Sequence, residues 1–150
     1  MFRGRYQHTI DPKGRLSIPA KWREALGTYG EAAGQLIVVP NEHCLEIHPL
    51  EEWQRIEDKL NAQPMFTPEV RKLSRLFMSR AKEASVDGAG RVLLPPDTRD
   101  QAGLAAKEVT LVGGGRKMFE VWGRARFEEY ERTQGDALPT LFEKLSAYGV

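Results

Sequence analysis

The sequence predicts an α+β fold, mainly β with helices at its periphery and assembled from two versions of one unit. Three observations support this: short strand-forming runs closed by tight-turn residues, an amphipathic helix after each group of strands, and one stretch repeated at a constant offset. The stretch is Asp11-Pro12-Lys13-Gly14-Arg15-Leu16-Ser17-Ile18-Pro19, with Arg23 four residues on. At an offset of 76 it returns as Asp87-Gly88-Ala89-Gly90-Arg91-Val92-Leu93-Leu94-Pro95, followed by Arg99. Ile10/Val86, Leu16/Val92 and Ile18/Leu94 are like-for-like apolar pairs at the same offset.

The elements follow in order. Tyr6, His8 and Ile10 alternate with Gln7 and Thr9, the period of a half-buried strand over Arg5 to Ile10. Asp11-Pro-x-Gly14 fits a type I turn: Asp hydrogen-bonds the backbone, Pro sets φ, and Gly suits the fourth place. Asp87 and Gly90 keep the outer positions. Short strands then run from Arg15 to Ile18 and from Arg91 to Leu94, each stopped by Pro19 or Pro95, residues that suit a helix start. A helix over Ala20 to Leu26 ends at Gly27, and strands follow at Gln35–Val39 and Cys44–Ile47. The second unit repeats these strands at Glu108–Val112 and Met118–Val121.

Trp53, Ile56 and Leu60 form a helical stripe that Phe127 and Tyr130 begin to repeat. Thr67-Pro68-Glu69 opens a helix carrying Val70, Leu73 and Phe77. A last amphipathic helix spans Leu138 to Tyr148. These stripes are expected to pack on the chain's own sheets or on a neighbouring subunit. The resulting division is a first repeat over 1–62, a linking helix over 63–78, a second repeat over 79–133 and a C-terminal helix over 134–150.

Net charge is +1, so whole-chain charge points to no class of partner. Its distribution does. Residues 1–23 hold Arg3, Arg5, Lys13, Arg15, Lys21 and Arg23 against one acid, Asp11, a local charge of 6 − 1 = +5. A patch of that size displaces counterions from DNA. In the second unit Arg3, Arg5, Lys13 and Lys21 become Ser79, Ala81, Ala89 and Asp97, while Arg91 and Arg99 persist. Residues common to both copies therefore read as architecture, and those confined to the first as function. Arg15 and Arg91 could each pair with the Asp four residues back or read guanine through a planar fork.

Other chemistries find little support. His43, Cys44 and His48 match no common zinc spacing, so no metal or other cofactor is expected. Gly113-Gly114-Gly115-Arg116-Lys117 lacks the Gly-Lys-Ser/Thr ending of a phosphate loop and reads as a hairpin turn. No set of catalytic residues or small-molecule substrate site is recognisable, so an enzyme is not expected. One cysteine, no apolar leader after Met1 and no membrane-length apolar run suggest a soluble cytoplasmic protein.

Phe2-Arg3-Gly4 at the start, Asp11-x-x-Gly14-Arg15-Leu16-x-x-Pro19-x-x-x-Arg23 and Asp87-x-x-Gly90-Arg91-Val92-x-x-Pro95-x-x-x-Arg99 resemble the MraZ family of bacterial regulators of the division and cell-wall cluster. One motif alone would indicate only the wider SpoVT-AbrB-like swapped-hairpin domains. The resemblance implies a double swapped-hairpin AbrB-like β-barrel and a nucleoid-associated, ring-shaped homo-oligomer that binds short G-rich direct repeats in double-stranded DNA of its own promoter. The cation count and the comparison of the two copies, not the resemblance, place DNA contacts among Arg3, Arg5, Lys13, Arg15, Lys21, Arg23 and Arg91. Asp11, Gly14, Pro19, Asp87, Gly90 and Pro95 would form the turns. The competing class is a protein-interaction module of antitoxin type, in which single-unit relatives use a disordered tail.

Overall fold

The computed structural model describes residues 1–64 and 66–150. Its strands are β1 (Arg3–Thr9), β2 (Arg15–Ser17), β3 (Gln35–Pro40), β4 (Leu45–Pro49), β5 (Lys82–Ser85), β6 (Arg91–Leu93), β7 (Glu108–Gly114) and β8 (Phe119–Gly123). Its helices are α1 (Ala20–Gly27), α2 (Leu50–Asn61), α3 (Pro68–Leu76), α4 (Pro96–Gln101), α5 (Arg124–Gln134) and α6 (Leu138–Ser146). The 63–78 linker expected from sequence includes Met65, which lies outside the described residues.

Each half gives its first strand to the other. β1 pairs antiparallel with β7, and β5 with β3, so the first strand of each half joins the other half's hairpin. The order β1-β7-β8-β4-β3-β5 makes a six-stranded sheet, and β2 pairs with β6 as a separate ribbon. Two registers reveal the internal symmetry. Leu16 lies opposite Val92, its counterpart at offset 76, and Glu46 lies opposite Glu120, its counterpart at offset 74. An approximate two-fold axis therefore runs through the ribbon and through the β4–β8 pair.

The ribbon joins the two outer strands of the sheet through the hairpin turns. Ladder pairing breaks at those corners, where only the Val86–Val92 bridge and single hydrogen bonds such as His8 Nδ1 to the Ser17 carbonyl (2.9 Å) remain. The eight strands still enclose one core. Leu16, Ile18, Leu36, Val38, Leu45, Ile47, Val92, Leu94, Leu111, Phe119 and Val121 meet inside it with Phe2 and Trp22. Fully burying each such aliphatic side chain contributes about 1.5 to 3 kcal/mol.

Trp53 of α2 caps one side with Ile37 and Val39; Phe127 of α5 caps the other with Trp122 and Cys44. Burial pushes the Cys44 thiol well above its ordinary range, assisted by the Glu120 carboxylate, so it is a packing group. β7 runs two residues further than its composition suggests. Gly113 and Gly114 pair with Gly4 and Arg3, and a Cβ at Gly113 would come within 2.7 Å of the Phe2 main chain. Glycine there admits a close backbone approach that the sequence pattern presented as a turn.

The outer helices are less enclosed. Leu73 and Leu76 of α3 are exposed, as are Leu138, Leu141, Phe142 and Leu145 of α6. Among the described residues no helix is long and apolar enough to cross a membrane.

Candidate nucleic-acid interface

The first turn is built around one carboxylate. Asp11 Oδ1 accepts the main-chain N–H of Lys13 (2.9 Å) and of Arg15 (2.8 Å), while its carbonyl accepts the Gly14 N–H (2.9 Å). Gly14 completes the reversal at φ +83°, a conformation that suits glycine. Arg15 Nε then donates to Asp11 Oδ2 at 2.7 Å. This single contact fixes the guanidinium from its inner edge, leaving the terminal nitrogens beyond the carboxylate. The Arg15 main-chain hydrogen bond, then the side-chain bond to the same residue, hold the Asp11 carboxyl below the ordinary range. Lys13 sits exposed at the tip.

The second turn copies the frame. Asp87 Oδ1 accepts from Ala89 N–H and Arg91 N–H, both at 2.9 Å, and Gly90 sits at φ +78°. Its main-chain bond from Arg91 lowers the Asp87 carboxyl too. The arginine differs. Arg91 Nε is buried without a hydrogen bond, its carboxylate partner Asp87 Oδ2 standing off at 3.5 Å. Alanine at position 89 also leaves this tip without a cation.

Pro19 and Pro95 end the ribbon strands and stand at the N-caps of α1 and α4. Those helices carry Arg23 and Arg99 across to the other half's turn. A Cβ at Gly90 would meet Arg23 Nη1 at 2.5 Å, and one at Gly14 would meet Arg99 Nη2 at 3.1 Å. This reciprocal arrangement gives Arg23 a structural neighbour that sequence spacing did not reveal.

The remaining cations occupy different surroundings. Arg3 and Lys21 line one cleft with Tyr6 and Trp22, and the Trp22 indole N–H donates to the Arg3 carbonyl (3.1 Å). Arg5 is drawn toward α5, with Nη1 2.7 Å from Glu131 Oε2 and the guanidinium 4.9 Å above the Phe127 ring. Lys13, Arg15, Arg23 and Arg91 thus lie around the turns and ribbon, Arg3 and Lys21 in the cleft at the start of α1, and Arg5 against α5. Sequence reading also missed the pair that neutralises Lys82: its Nζ bonds Asp97 Oδ2, and that bond lowers the Asp97 carboxyl. Asp97 stands where the first copy has Lys21, but the linear sequence carries no signal that sets it against Lys82.

The MraZ family model, whose description carries an antitoxin-like label, matches residues 1–76 and again residues 77–144. The chain belongs to the MraZ family. A protein named transcriptional regulator MraZ in Desulfitobacterium hafniense (strain Y51) is 43% identical over 150 residues, all of both chains. Its namesake in Heliobacterium modesticaldum is 41% identical over 145 residues, covering 97% of this chain and 96% of that one. The one in Coxiella burnetii (strain Dugway 5J108-111) is 40% identical over 155 aligned positions, covering 97% and 99%. The chain keeps one turn frame twice, each with an arginine beside its aspartate and another reaching in from the opposite half, and only the first carries a lysine at its tip. Among the described residues no group of three His, Cys, Asp or Glu side chains could hold a metal ion.

Proposed function

We propose that this chain is a sequence-specific, DNA-binding transcriptional regulator that recognises short direct repeats upstream of its own division and cell-wall operon. The observation that carries this reading is the first turn: Arg15 is half-buried and held at its inner nitrogen by Asp11, its terminal nitrogens bond no other group among the described residues, and Lys13 stands exposed beside it. Arg presents paired donors to guanine O6 and N7, and a two-stranded ribbon can enter the major groove. Lys13, Arg3, Lys21 and Arg5 contribute phosphate attraction, Arg5 after exchanging Glu131 for a phosphate. Arg23 and Arg91 contribute at the margin of the same surface.

The regulator acts as a homo-oligomeric ring in the cytoplasm, at the nucleoid, without catalysis. Exposed apolar faces on α3 and α6 support self-association, since leucines and phenylalanine at helical spacing otherwise remain in water. A head-to-tail ring presents one surface repeatedly in one sense, which suits direct repeats, and several weak contacts then combine through avidity. Residues 1–62 and 79–133 act as the two repeats, joined by 63–78 and followed by 134–150. The helical state of α6 favours this reading over an antitoxin-type module with an extended tail.

A gel-shift with the DNA upstream of the chain's own gene tests the proposal. Specific retention that survives scrambled competitor is expected, and equal displacement by the scrambled DNA would overturn it. Shortening the DNA to one repeat should weaken retention far beyond the statistical factor.

A further inference from the structure

The β2–β6 ribbon presents four side chains outward: Arg15 opposite Leu93, and Ser17 opposite Arg91. Leu16 and Val92, between them, point inward and are completely buried. The internal two-fold exchanges Arg15 with Arg91, and Ser17 with Leu93. A ribbon bearing only the two arginines would present the same surface after half a turn and could lie on DNA in either sense. Direct repeats have a direction. Reading them requires a difference between the halves on the docking face, and on the ribbon that difference is Ser17 against Leu93.

Leu93 is 58% exposed and belongs to none of the chain's apolar clusters. Its neighbours on the outward face are both arginines. Cross-strand Cβ atoms lie about 4.5 to 5.5 Å apart, which sets Leu93 beside Arg15. Two residues along a strand span about 6.8 Å, which sets it two base-pair steps of about 3.4 Å from Arg91. The major-groove edge of thymine carries a methyl group, the feature that an apolar side chain can read there.

We infer that Leu93 is a specificity residue, packing on the C5-methyl of a thymine next to the guanine that Arg15 reads, and that the Ser17/Leu93 difference fixes the direction of the ribbon on each repeat. This rests on the DNA-binding reading above. Ser17 at the related position has no apolar surface to offer, so the reversed orientation loses the contact. Lys13 against Ala89 at the turn tips biases the same choice through phosphate attraction, without reading a base.

The test replaces thymines of the upstream DNA, one position per repeat, with deoxyuridine, which lacks only the methyl group. Wild-type protein should lose about fourfold in affinity per repeat at one position, the effect of returning one methyl-sized group to water. Leu93→Ser should bind the thymine and uracil DNAs equally, and Leu93→Met should keep the preference. Equal affinity of wild type for both DNAs would overturn the inference, as would equal losses in wild type and Leu93→Ser. A changed assembly mass for Leu93→Ser, measured by light scattering, would overturn it too by making Leu93 a subunit contact. Failure of wild type to retain the upstream DNA at all overturns the DNA-binding reading together with this inference; retention without methyl dependence overturns this inference alone.

Discussion

The two hairpin turns share a skeleton and differ in how tightly its arginine is held and in the cations around it. Asp11 and Asp87 each gather two main-chain donors, Gly14 and Gly90 adopt the same left-handed conformation, and Arg23 and Arg99 each brace the opposite turn. The first turn adds a clamped Arg15 and a lysine tip. The second has a slack Arg91, an alanine tip, and a nearby lysine occupied by Asp97. Duplication within one chain therefore separates what the fold needs from what the surface does: whatever is geometrically obligatory survives in both halves.

The largest expected effect concerns the shared frame. Gly14→Ala and Gly90→Ala each force a side chain into the left-handed region and against an arginine, so each should lower unfolding free energy by about 1 to 3 kcal/mol. Denaturant titration checks this; a loss in one half alone would show that the two turns are not equivalent supports.

Next comes the clamped arginine. Arg15→Ala should weaken operator binding roughly 10- to 100-fold, the worth of one bidentate base contact, and Arg91→Ala much less. Fluorescence anisotropy with both variants decides; equal losses would break the division between the halves.

Smaller again is the difference between two lysines. Lys21→Ala should weaken binding to all DNA sequences alike, the signature of a phosphate contact. Lys82→Ala should leave binding unchanged, because Asp97 already occupies that cation. A matching loss from Lys82→Ala would extend the interface to the second half.

The smallest effect is on acid stability. Both turn aspartates have depressed folded values, so their stabilisation is full above the ordinary carboxylate pKa, about 3.9, and is lost as pH falls through the lower folded values. Asp11→Asn should flatten that part of the acid-unfolding curve and leave neutral-pH folding intact; an unchanged curve would remove the turn carboxylate from the acid response.

Much of this architecture was legible in the sequence because turn chemistry is local. Asp-x-x-Gly fixes a turn within four residues, and alternation around Leu16 and Val92 fixes which face is buried. The partner of each strand was less legible, since β1 pairing with β7 depends on a register set across the whole chain. Surroundings created by the swap were hidden for the same reason. Arg23 beside Gly90, Arg5 beside Glu131 and Phe2 beside Gly113 join residues 67, 126 and 111 positions apart. The charge count over residues 1–23 was correct as a sum, yet those cations occupy three distinct surroundings that linear proximity merged.

The salt dependence of operator binding tests most directly whether the first turn is the DNA-reading one. Wild-type affinity should fall steeply as salt rises, with a log-log slope of roughly −0.9 per phosphate neutralised. Lys13→Ala should reduce that slope by about 1, and adding Ala89→Lys should not restore it. A flat wild-type response, or full restoration by Ala89→Lys, would contradict the assignment.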